Sequence, residues 1–171
     1  MLPIIIPKKV NKFVPNDKLL VVLAPRYRPG FKRNWKYWQE FYDMLYNHKL
    51  MSNFNFIICG KEGEYTLDKK DRFYDINKIS LNENSSLIGL LFAILDKAIF
   101  TCGSQSAIPN LSLLRKVESL VWGHQKRFHT VDYNYMKTPI TFIEDPKYRL
   151  EPKIVLKNLN KLLKKKIEKE K

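Results

Sequence analysis

Four cations crowd one short stretch of the chain. Ala24-Pro-Arg-Tyr-Arg-Pro-Gly-Phe-Lys-Arg-Asn34 carries Arg26, Arg28, Lys32 and Arg33. A phosphate group asks for such charge-assisted donors, and Pro29-Gly30 lets the backbone turn sharply around it. The plainer reading is a solvated loop of a kind common on basic proteins. A second stretch, Thr101-Cys-Gly-Ser-Gln-Ser-Ala-Ile-Pro-Asn110, reads as a strand, a turn over Gly103, Ser104, Gln105 and Ser106, then the start of a helix. The first amides of a helix lack intrahelical partners and lie at the positive end of its dipole. The N–H groups of Ala107 and Ile108, with the hydroxyls of Ser104 and Ser106, can therefore hold an anion. More plainly, Ser106 is an N-cap, and the two readings are compatible. In Trp122-Gly123-His124 the indole can stack and the imidazole can hydrogen-bond to a planar group such as a base. Trp122 reads better as core, and His124 stays open between a nucleoside contact and a surface residue. His48 ends a helix and suits its negative pole. His129 acquires no role.

These residues need elements to position them. Leu19 to Ala24 (LLVVLA) is a continuous apolar run, short enough for a strand buried on both faces of a parallel sheet. Trp35, Trp38, Phe41, Tyr42 and Leu45 recur at helical spacing and predict an amphipathic helix over Trp35 to His48. Phe54 to Cys59 is a second strand, Lys61 to Asp71 a charged loop, and Phe73 to Ile76 a short, weak strand. Asn84, Ser85 and Ser86 offer caps for a helix over Leu87 to Lys97 that is apolar nearly all round and hence buried. Ala98 to Thr101 is a strand, Ala107 to Arg115 a helix whose Pro109 falls in its first turn. Strands at Glu118 to Trp122 and Pro139 to Ile143 follow, then a Lys-rich helix over Pro152 to Lys171.

Strands alternating with helices predict a single Rossmann-like, three-layer α/β domain with a mostly parallel sheet and right-handed crossovers. In the common 3-2-1-4-5-6 order, Leu19 to Ala24 lies beside Ala98 to Thr101, and ligands bind where the order reverses. The two candidate loops leave those two strands. The same order holds Cys59 and Cys102 about 10 Å apart, too far for a disulfide, so both are expected to be free core thiols.

Composition narrows the partners. Of 171 residues 44% are hydrophobic and 28% charged, as in one globular domain. Lys and Arg number 31 against 17 Asp and Glu, a net charge of +14 that favours nucleotides, nucleic acid or acidic membranes. The longest apolar run, Leu87 to Leu95, is half of the roughly 20 residues a bilayer span needs. The short apolar stretch Leu2 to Ile6 precedes its lysines and does not read as a secretory signal. The expected location is cytoplasmic, at most peripheral to a membrane. No G-x-G-x-x-G follows the first strand and no G-x-x-x-x-G-K-[ST] occurs, which argues against a dinucleotide dehydrogenase and a P-loop ATPase. No cofactor is implied, and no His/Cys spacing suggests a metal.

The succession VVLAPRYRPGFKRNWKYWQEF, FNFIICGKEGE and SSLIGLLFAILDKAIFTCGSQSAIPNLSLL resembles the carboxyl-terminal, donor-binding half of GT-B glycosyltransferases, closest to the ADP-heptose:lipopolysaccharide heptosyltransferase family. The resemblance covers about residues 19 to 123. It implies that Lys32 and Arg33 meet the donor phosphates, while Arg26 and Arg28 are phosphate candidates from the charge of the same loop. It sets Gly103, Ser104, Gln105 and Ser106 at the diphosphate and sugar, and Glu62 or Glu64 at the rim. The family's turn carries an Asp and a following His, where this chain has Ser104-Gln105-Ser106 and Pro109. The implied organisation is an extension or linker over 1–18, a nucleotide-sugar-binding domain over 19–151 and a Lys-rich helix over 152–171. The implied partners are a nucleotide-sugar donor, a glycan or glycolipid acceptor, and an acceptor domain on another chain or an anionic membrane. The alternative is a non-enzymatic basic α/β module for nucleic acid or an anionic surface, suggested by the aromatic-basic mixture from Arg26 to Tyr46. Against it, Trp35 and Trp38 have core spacing.

Overall fold

Strand β1 (Leu19–Ala24) is apolar throughout because it has a neighbour on each side and a helical layer on each face. Its side chains alternate: Val21 and Leu23 enter one core, Leu20 and Val22 the other. In the computed structural model, which describes residues 17–26, 34–60, 71–76 and 87–170, five more strands join it. They are β2 (Phe54–Ile58), β3 (Phe73–Asp75), β4 (Ala98–Ser104), β5 (Ser119–Gly123) and β6 (Ile140–Glu144). The order is β3-β2-β1-β4-β5-β6, and every pairing is parallel. The chain is thus a single α/β domain with the expected strand order and a sheet parallel throughout rather than mostly.

Helix α1 (Trp38–Asn47) and helix α4 (Pro152–Glu170) cover one face. The core beneath them holds Trp35, Trp38, Phe41, Tyr42 and Leu45 from the α1 segment and Val155, Leu159 and Leu163 from α4, all fully buried. Helix α2 (Leu87–Leu95) and helix α3 (Ala107–Leu114) cover the other face over Leu20, Val22 and Ile57. Trp35 meets Trp38 and Trp122 edge-on, with ring centroids 5.0 and 4.7 Å away. Its Nε1 donates to the Leu150 carbonyl at 2.7 Å. The aromatic rings are therefore spent on the core and on anchoring the chain before α4.

Several boundaries differ from the expectations. Helix α1 begins at Trp38, because Lys36 and Tyr37 form a turn that delivers Trp35 to the core from outside the helix. His48 stands at the carboxyl end of α1 as its C-cap residue. Its Nδ1 accepts from Leu50 N at 3.2 Å and so caps a 3-10 turn over Lys49–Asn53. Helix α2 is less uniformly covered than its composition suggests, since Leu87 and Ile88 are exposed. Its proposed caps, Asn84 to Ser86, lie outside the described residues. Strand β4 continues through Gly103 and Ser104, so the turn is confined to Gln105 and Ser106. A π-helical turn, Phe128–Asp132, interrupts the β5–β6 connection.

Cys59 and Cys102 are both free and buried, on opposite faces of the sheet. Burial pushes both thiols well above the ordinary range, with the Asp75 carboxylate adding to the effect at Cys59. Neither is a nucleophile at neutral pH. Among the described residues no helix is long and apolar enough to cross a membrane.

Candidate functional site

The chain leaves β1 for α1 on one face and leaves β4, its neighbour, for α3 on the other. In open α/β sheets such a reversal is where ligands bind, at the carboxyl ends of the strands. Two residues past β1, Arg26 Nη1 donates to the Gln105 carbonyl at 2.8 Å and so bridges the ends of β1 and β4. Gln105 N in turn donates to the Trp122 carbonyl at 2.8 Å. One residue thereby ties together the ends of β1, β4 and β5.

The buried Gln105 side chain is held on both ends. Its Nε2 donates to Gln125 Oε1 at 3.0 Å, and its Oε1 accepts from Gln125 N at 3.3 Å and from Tyr148 Oη at 3.4 Å. Tyr148 Oη also lies 3.2 Å from His124 Nδ1. Tyr148 reaches this point from a turn in which its own φ is 51°, a left-handed conformation costly for a bulky residue. Neighbouring bonds impose it. Asp145 N donates to the Gly123 carbonyl at 2.7 Å, and the Asp145 carboxylate accepts from Arg149 N and Leu150 N at 3.1 and 2.8 Å. Gly123 leaves room for the network, since a Cβ there would stand 2.7 Å from Gln105 Oε1.

Beside this network, three buried polar atoms have no hydrogen-bond partner: Ser104 Oγ, Ser106 Oγ and Asn110 Oδ1. Buried polar atoms left this way are costly and mark places where water or a ligand supplies the missing partner. Ser106 occupies the N-cap position of α3, but its hydroxyl makes no cap bond, so the side-chain capping expected of it is absent. Ser104, paired in register with Trp122, belongs to the strand and lies on the face of Cys102 and Trp122. Gly103 is also a strand residue. A Cβ there would lie 2.6 Å from both Cβ and O of Ala24, so glycine is required by the close approach of β1 and β4.

The structure thus brings together Arg26, Gln105, Ser106 and His124, and adds Tyr148, Gln125 and Asp145, which sequence reasoning missed. Asp145-Pro146 is a turn signal that could have flagged the last turn, but nothing local points Tyr148 at Gln105. Arg28, Lys32, Arg33, Glu62 and Glu64 lie outside the described residues. Trp122 is fully buried, as its core reading requires. His129 is enclosed beside Phe128 and Phe142, with neither ring nitrogen bonded, and burial lowers its pKa to about 4. A polar cleft lined by Asp17, Asn55, Arg72 and Tyr74 opens at the amino ends of β1, β2 and β3, away from the reversal.

An all-parallel doubly wound sheet with a polar network at its switch point defines a Rossmann-like α/β domain, consistent with half of a GT-B fold. No family model matches the sequence, and no curated protein matches it. Solved structures do resemble it. A glycosyl transferase family 9 protein from Veillonella parvula superposes with a TM-score of 0.65 at 10% identity, over 92% of this chain and 49% of that one. The wall teichoic acid polymerase TagF, as its H548A variant, gives a TM-score of 0.51 at 17% identity, over 88% of this chain and 36% of that one. The likeness is of fold, a glycosyltransferase-like one, and this chain spans about half or less of each neighbour's length.

Proposed function

We propose that the chain binds a nucleotide-sugar donor at the carboxyl ends of β1, β4 and β5 and supplies the donor half of a two-domain glycosyltransferase. The observation that carries this reading is the Arg26-to-Gln105 bridge across the reversal, beside the unpartnered hydroxyl of Ser106 at the start of α3. A diphosphate offers the oxygens that such a cation, hydroxyl and helix terminus accommodate. In this reading Arg28, Lys32 and Arg33 add charge to the diphosphate, and Glu62 and His124 face the nucleoside. The donor is a nucleoside-diphosphate-activated hexose or heptose.

During transfer an acceptor hydroxyl on a glycan or glycolipid attacks the anomeric carbon. The bond from that carbon to the diphosphate oxygen breaks, and its electron pair leaves on the diphosphate. The cations and the α3 amides stabilise that developing charge. The base that takes the acceptor's proton belongs to the acceptor-binding half, on the same or another chain. The nucleic-acid alternative loses Trp35 and Trp38 as stacking groups, since both are fully buried, and keeps only Tyr46 exposed among the described aromatic residues of its segment.

Calorimetry against a panel of nucleoside diphosphates tests the reading. Lys32→Ala with Arg33→Ala is expected to weaken binding by about 1.5–3 kcal/mol per lost charged hydrogen bond. Ser106→Ala is expected to weaken it too while changing stability by less than about 0.5 kcal/mol, because the hydroxyl caps nothing. Unchanged affinity in both variants would remove the two loops from the site.

A further inference from the structure

The pole of the sheet where β5 begins, opposite the candidate site, gathers exposed side chains from three elements. Thr138 Oγ1 donates to the Leu113 carbonyl at 2.7 Å, tying the β5–β6 connection to the end of α3. Ser119 N donates to the Pro139 carbonyl at 3.2 Å, and Lys166 Nζ pairs with Glu118 at 3.0 Å, which brings the end of α4 to the same strand start. The connection itself presents Val131, Tyr133, Tyr135 and Met136 to solvent, Tyr135 at 73% exposure and Val131 at 61%. Leu114, next to the anchoring Leu113, is 47% exposed. Tyr135 and Met136 sit on a clamped turn, where Asn134 Oδ1 accepts from Thr138 N at 2.8 Å and Asn134 Nδ2 donates to Thr138 O at 2.9 Å.

The surrounding charge is basic. Lys116, Lys137, Lys164 and Lys165 are exposed on these segments. The acids among them are largely matched: Glu118 by Lys166, Asp132 by Arg127 at 3.3 Å and Asp96 by Arg115. Glu168, one turn further along α4, is outnumbered.

We propose that this pole docks on an anionic lipid surface. Leu114, Val131 and Met136 gain from entering the acyl boundary of a bilayer and gain nothing from a phosphodiester backbone. Tyrosines settle at headgroup level with the ring inward and the hydroxyl in water. The cations are almost all lysines, point charges suited to a diffuse layer of lipid phosphate rather than to bidentate recognition of one group. This inference is independent of the nucleotide reading, since it uses the other end of the strands.

Co-sedimentation of the full chain with vesicles of phosphatidylcholine alone, and of an equimolar mixture with phosphatidylglycerol, tests it. Binding is expected to the mixture only. Tyr135→Ser with Met136→Ser is expected to weaken it at least about tenfold. Lys164→Glu with Lys165→Glu is expected to weaken it about thirtyfold or more. All four positions are exposed, so melting temperatures should not move, and each pair of substitutions checks the other. Equal binding to both vesicle types would overturn the proposal. So would wild-type binding by the Tyr135/Met136 variant, which would mark simple charge attraction. A single-stranded oligonucleotide bound with the same dependence on Tyr135 and Met136 would reassign the surface to nucleic acid.

Discussion

A histidine enclosed with both ring nitrogens unbonded is stable only while neutral, and His129 is such a residue. Burial lowers its pKa to about 4, whereas the unfolded chain holds the proton up to about pH 6.5. Between those values the unfolded state binds more protons. His129 therefore allows full stability above about pH 6.5 and costs stability as pH falls toward 4. Thermal melting between pH 7 and 4 is expected to show a falling transition temperature, and His129→Leu to flatten that dependence; a variant with the unchanged slope would place its origin elsewhere. The same distinction between what a residue is and what surrounds it applies to Ser106. Its position at a helix start is plain in the sequence, but its idle hydroxyl is not, because no local pattern says whether an N-cap side chain makes its bond.

At the scale of elements, the close approach of β1 to β4 sets the geometry at the reversal. Gly103 lies against the Ala24 backbone, so Gly103→Ala must push the two central strands apart or distort one of them. A loss of about 1–3 kcal/mol in denaturant unfolding is expected, of the size seen for overpacking. The sequence suggests a flexible turn glycine facing ligand at this position. In the folded sheet it is a packing glycine, and an effect of its substitution on ligand binding would arrive through strand separation. The strand and helix order, by contrast, was legible, because apolar runs and 3.6-residue spacing are local properties of the chain. Trp35 was legible as apolar and misread as helical, since a turn before α1 can deliver the same ring to the same core.

For the whole molecule, α4 closes one face of the sheet. Its lysines surround a narrow apolar stripe, and Val155, Leu159 and Leu163 of that stripe are fully buried against the aromatic core. Burial of such a side chain is worth about 1.5–3 kcal/mol, so three together approach the entire stability of an ordinary domain. Truncation after Leu150 is expected to abolish cooperative unfolding by circular dichroism; a truncated chain that melts normally would show that α4 is dispensable to the core.

The sequence by itself determined the α/β class and the succession of strands and helices, because burial on one or both faces writes its period directly into the residue pattern; the strand order follows the commonest winding of such sheets and is recorded in no residue pattern. The tertiary structure alone decided which side chains meet. Arg26 and Gln105 are 79 positions apart, and Gln105 and Tyr148 are 43. No periodicity records such pairings. They follow from strand register, from a left-handed turn held by Asp145 and from a glycine that leaves space at position 123, all of which exist only once the sheet has closed around its core.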